Sequence, residues 1–100
     1  MSETVFKIDR SKAQQIPEVT QDEIVSRLSI TTRDSNALGI EEDCVYVLVS
    51  GQDEGVDRAK ELFESKMIGR ALPAQQAQQV QEAVKKEEDS AAEGMGNLFG

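Results

Sequence analysis

The chain has no histidine and no tryptophan, a single cysteine (Cys44), two prolines, one tyrosine and three phenylalanines. Without histidine it lacks the commonest general base and the commonest metal ligand. One cysteine excludes an intramolecular disulfide and a zinc site built on several thiolates. Cys44 has no histidine partner and opens an apolar run, so it reads as a buried structural thiol rather than a nucleophile. There is no phosphate-binding glycine loop, no dinucleotide fingerprint and no nucleophile elbow. No apolar run approaches membrane-spanning length. The opening MSETVFKIDRSK lacks the apolar core of a signal peptide, so a reducing cytoplasmic location is expected. These absences argue against an enzyme and against a cofactor or metal.

Basic charge is also scarce. Eleven Lys and Arg face nineteen Asp and Glu, a net charge of −8 over 100 residues. Nucleic-acid binders draw much of their affinity from a basic face, so this balance counts against that class without excluding a local patch. The acidic run Glu41-Glu42-Asp43 matches no calcium-loop spacing and reads as a solvated turn.

What is present is organised around residues 44–63, CVYVLVSGQDEGVDRAKELF. Residues 44–50 read as a strand apolar on both faces, with Val45, Val47 and Val49 on one and Tyr46 and Leu48 on the other. A strand of that kind is expected at the centre of a sheet or covered on both sides. Gly51 permits a turn, and Asp53 is placed to cap a helix. Val56, Ala59, Leu62, Phe63 and Met67 then fall at helical spacing, and Gly69 suits the helix stop.

Elsewhere the signals are shorter. Residues 4–8 alternate weakly and predict a strand. Pro17 is expected to interrupt any short helix before it, with Ile16 as the boundary. Thr20 with Glu23 three residues on has the form of a capping box, predicting one or two helical turns over Ile24, Val25 and Leu28. From Leu28 to Arg33 the β-branched density predicts another strand. Residues 34–43 are rich in turn formers, with Leu38 and Ile40 as candidate anchors. Beyond Pro73 a Gln-rich helix carries a thin stripe of Ala77, Val80 and Val84. The expected organisation is an α+β domain over residues 1–70, a weakly amphipathic helix over 71–88, and a flexible tail over 89–100.

Two groups stand out as candidate binding residues. Lys7, Arg10, Lys12, Arg27 and Arg33 are candidates for a basic strip facing nucleic-acid phosphates; no aromatic residue interleaves them, so base stacking has no support. Met95, Leu98 and Phe99 in the tail are candidates for contact with a protein partner.

Residues 45–63 also resemble the last strand and helix of KH (K-homology) domains: Val47, Val49, Gly51, Val56, Ala59, Leu62 and Phe63 fit that pattern. The resemblance implies a three-stranded sheet packed on helices, in the order strand, short helix, strand, strand, helix, here with an extra C-terminal helix. It places the family's middle strand and variable loop at residue 28 and onward. Nucleic-acid-binding KH domains clamp the sugar–phosphate backbone with a GXXG loop between two helices. Where that loop would fall, residues 16–19 read Ile-Pro-Glu-Val, with no glycine and an added carboxylate. The expectation is therefore a non-catalytic KH-like module that engages a protein partner or self-associates, with no membrane partner; RNA binding through the basic strip is the alternative.

Overall fold

β3 (Cys44–Gly51) lies between two antiparallel neighbours, β1 (Ser2–Asp9) and β2 (Ser29–Asp34). The structure is a computed structural model describing residues 2–99, with side chains described for residues 2–88. A 3-10 turn over Arg10–Gln15 leads into α1 (Ile16–Thr20), and a second 3-10 turn, Val25–Arg27, precedes β2. A third, Asn36–Leu38, lies in the β2–β3 connection. β3 is followed by α2 (Asp53–Ser65), β4 (Gly69–Ala71) and α3 (Ala74–Phe99). The sheet order is β2-β3-β1-β4. The fold is α+β, and the sheet has four strands rather than the expected three.

The pleat of β3 separates two cores. Val45, Val47 and Val49 join Phe6, Ile8, Val19, Val25, Val56, Ala59, Phe63 and Ile68 under α1 and α2. Cys44 and Tyr46 join Val5 beneath Ala77, Val80 and Val84 of α3, with Leu38, Ile40, Leu48 and Leu72 at the margin. This is the face assignment that alternation along β3 predicts. It also explains how a thin helical stripe suffices: α3 needs only to close a face already lined by β1 and β3.

The 3-10 turn before Pro17 ends at Gln15 with Ile16 as its C-cap, the expected boundary, and Pro17 then sits in the first turn of α1, where a residue donates no intrahelical N–H. Two other local signals resolve differently from expectation. Thr20 ends that helix instead of starting one. The cap is supplied by Asp22, whose carboxylate accepts from the Ile24 and Val25 N–H groups at 3.1 and 3.3 Å. Asp53 is the first residue of α2, with Gln52 at the N-cap, and it accepts a hydrogen bond from the Ser2 hydroxyl instead of capping the helix.

α2 stops before Gly69. Met67 adopts φ 56°, its N–H reaches Glu64 O at 3.1 Å, and the Ile68 N–H reaches Phe63 O at 3.0 Å. This is the Schellman arrangement, in which glycine normally takes the left-handed position. Ile68 then turns inward and Met67 outward, leaving Met67 72% exposed. The reversal delivers β4 to β1, pairing Gly69 with Ile8, Arg70 with Lys7 and Ala71 with Phe6. Gly69 is needed for close approach, since a Cβ there would lie 2.7 Å from both Lys7 O and Ile8 Cγ1.

Met67→Gly is expected to raise stability by about 0.5–1 kcal/mol. It removes the left-handed strain of an L-residue while giving up an exposed side chain. A denaturant midpoint that falls would show that Met67 packs more than its exposure indicates.

Candidate functional site

The predicted basic strip is largely neutralised by carboxylates. Lys7 Nζ lies 2.7 Å from Glu42 Oε2. Arg10 holds Asp34 with two parallel bonds, Nη1 to Oδ2 at 2.5 Å and Nη2 to Oδ1 at 2.9 Å, and its Nε pairs with Asp43. Arg27 lies 3.7 Å from Glu23. Arg33 reaches across to α3, 3.3 Å from both Glu87 and Glu88. Lys12 instead donates to the Met67 carbonyl at 2.6 Å. Lys7 and Lys12 share a groove, whereas Arg27 sits at the start of β2, away from them. The acidic run at residues 41–43 thus supplies counter-charges to β1 and its following turn. The side chains of Met95, Leu98 and Phe99 lie outside the described residues.

These pairs fix the β2–β3 connection on the sheet. Asp34 also accepts from the Asn36 N–H at 2.9 Å. The Arg10 guanidinium, and next this N–H, hold its carboxyl down at about 2. Buried Ser35 donates to Glu42 O and accepts from the Cys44 N–H at 3.3 Å. Glu42 further accepts from the Tyr46 hydroxyl at 3.1 Å; Lys7 first and Tyr46 second keep it below the usual carboxylate range. The Tyr46 phenol is pushed up by burial first, then by Cys44 and Glu42.

A pH dependence follows. Because Asp34 is more acidic folded than its ordinary 3.8, its contribution is complete above about pH 4. It is lost as the pH falls through the folded value near 2. Asp34→Asn should flatten the acid limb of the stability curve between about pH 4 and 2. Parallel acid limbs for both proteins would contradict the pairing.

A second surface feature lies at the opposite end of β2. A groove of about 740 Å³ is lined by Ile24, Arg27, Leu28, Gln52, Glu54 and Gly55, among others. Three segments build it. The Asp22 cap turns the chain so that Ile24 faces outward, 47% exposed, while Val25 is buried. Leu28 enters β2 with its side chain over Gly51 and Gly55, where a Cβ at either glycine would come within 2.6 Å of its Cδ2. Gly51 also takes φ 150°, which disfavours any other residue. The two glycines thus form a hollow that accepts the Leu28 methyl, and Ile24 stands beside it. Arg27 is the one predicted site residue here. The others went unrecognised, although Gly51 and Gly55, four apart across the start of a helix, are the available sign of a close approach.

The fold and site define a small α+β domain whose four-stranded antiparallel sheet carries helices on both faces, with an open groove that exposes Ile24 beside one edge strand. Comparison with family models, with curated proteins and with solved structures returns no match. Among the described residues no helix is long and apolar enough to cross a membrane.

Proposed function

We propose that the chain is a non-catalytic, KH-like protein-binding module. In this reading the groove beside Ile24 takes a basic segment of a partner protein, which inserts one large aliphatic or aromatic side chain. The observation that carries this is Ile24 itself, a large aliphatic side chain held outward by the Asp22 cap beside Leu28 in a groove of peptide-anchor size. The chemistry of the partner follows from charge. Glu54 lines the groove, Glu23 adjoins Ile24, and the chain carries −8 overall, which attracts a basic segment and opposes a second copy.

The KH-like part of the reading is supported by the chain order of strand, short helices, strand, loop, strand and helix, with the third strand, β3, lying between the first two. Residues 16–19 lie inside α1, so the turn between α1 and the next helical segment is Gln21-Asp22-Glu23-Ile24 rather than the expected 16–19. It has no glycine for close backbone approach and carries two carboxylates that repel phosphate. With Lys7, Arg10, Arg27 and Arg33 already paired, this weighs against RNA binding through the basic strip. Absent histidine and a buried Cys44 support a non-catalytic role, and a single unpaired cysteine suits a cytoplasmic setting.

Fluorescence polarisation at low salt tests the proposal, using a library of Lys-rich octapeptides each bearing one Leu, Ile or Phe, and a Glu-rich library as the counterpart. Basic peptides should bind, and Ile24→Asp should weaken them at least about tenfold through loss of the apolar contact. Equal retention of acidic peptides, or indifference to Ile24→Asp, would sink it. A sedimenting dimer would shift the reading to self-association.

A further inference from the structure

The chain has five arginines, and four of them, Arg10, Arg27, Arg33 and Arg58, lie within ion-pair distance of a carboxylate. Arg70 is the exception among the described residues. It is exposed on the edge strand β4, directly opposite Lys7 in the antiparallel β1–β4 ladder. Like charges directly opposite across strands repel, so this arrangement opposes pairing where β4 is only three residues long. Relief from within the protein is one-sided: Glu42 contacts Lys7 and acts on Arg70 only at a distance.

A third cation faces the same space. Lys12 pairs with no carboxylate among the described residues and is anchored by the Met67 carbonyl at 2.6 Å. That carbonyl belongs to the left-handed residue that turns the chain into β4. Lys7, Lys12, Ile68, Gly69 and Arg70 line a groove of about 460 Å³, whose one carboxylate is Asp9. In a chain with nineteen acidic residues, three cations line this groove with one carboxylate, and Glu42, outside the groove, is ion-paired with Lys7 alone among the described residues.

We propose that this groove is an oxyanion site for a single phosphate group, free or terminal on a small molecule. Arg70 would supply a planar pair of donors, and Lys7 and Lys12 would act as flanking point charges. The site is separate from the Ile24 groove and does not depend on it.

The test is an amide chemical-shift titration at constant ionic strength with inorganic phosphate, phosphoserine, acetate and a short oligouridylate. Phosphate and phosphoserine should give saturable shifts at Lys7, Lys12, Gly69 and Arg70, and acetate should bind distinctly more weakly. Arg70→Gln should weaken phosphate about tenfold, as expected for losing a charged hydrogen-bond donor, and Lys12→Gln should weaken it less. Both positions are at the surface, and an unchanged amide spectrum elsewhere will show that each variant is folded. Linear, unsaturable shifts, or equal binding by the Arg70→Gln variant, would overturn the site. Oligouridylate shifts that spread to Arg27 and Arg33 would overturn it in favour of a nucleic-acid surface.

Discussion

Phe63→Ala is expected to cost about 3–5 kcal/mol, from lost burial and from the cavity left behind. Phe63 is fully buried, and its ring centroid lies 4.6 Å from that of Phe6 at an interplanar angle of 34°. The pair joins α2 to β1, and Ile68 closes over them after the helix stop. Among the described residues, no third aromatic side chain belongs to this core to refill the space. Domains of this size have about 5–15 kcal/mol in total, so the variant should be marginal at physiological temperature. Its melting point should fall by roughly 15 °C or more. Urea unfolding followed by circular dichroism measures this, and Phe63→Leu should recover most of the loss. A change below about 1 kcal/mol would mean that the aromatic pair is not the core contact described.

Val80→Asp should release α3 while leaving the other core intact. Val80 is buried among Val5, Cys44 and Tyr46, and Lys7, which lines the adjacent groove, is already paired with Glu42 at 2.7 Å. Burying that charge costs about 3 kcal/mol or more, comparable to what a three-residue apolar stripe contributes. The helix should therefore undock rather than bury it. Cys44 reports the event, because it is 1% exposed beneath α3 and should react slowly with thiol reagents. In the variant its rate should rise roughly a hundredfold, the equivalent of about 3 kcal/mol. The Phe6–Phe63 side should still unfold cooperatively. An unchanged thiol rate would show that α3 does not protect this face.

The central unit was legible because its signals are long and agree with one another. Eight strand residues with two apolar faces, followed by thirteen helical residues with one, leave little room for another reading. β1 and β2 were recognised within a few residues, and Leu38 and Ile40 do anchor their loop. The failures come from short segments where several residues compete for one role. Thr20 was expected to cap, and the turn geometry gives that role to Asp22. Met67 continued the helical spacing on paper, yet the helix ends at Ser65 and Met67 points to solvent. β4 is too short to show a period, and Gly69 looked like a helix stop when its role is to bring two backbones together.

Neither groove could be read from spacing. Ile24, Leu28, Gly51 and Gly55 come from separate segments, as do Lys7, Lys12 and Arg70. Composition showed how much positive charge the chain has, while only the fold shows which cations carboxylates have already taken. Arg70, absent from the predicted strip, is the arginine without a carboxylate partner among the described residues.

The most direct test of the binding role is to map where a peptide sits. The tightest basic peptide from the library should be titrated into labelled protein while amide shifts are recorded. The account predicts saturable shifts concentrated at Ile24, Leu28, Gly51 and Gly55, abolished by Ile24→Asp in a protein whose remaining spectrum is unchanged. Shifts centred on β4 or α3 instead, or no saturable shift with any basic peptide, would contradict it.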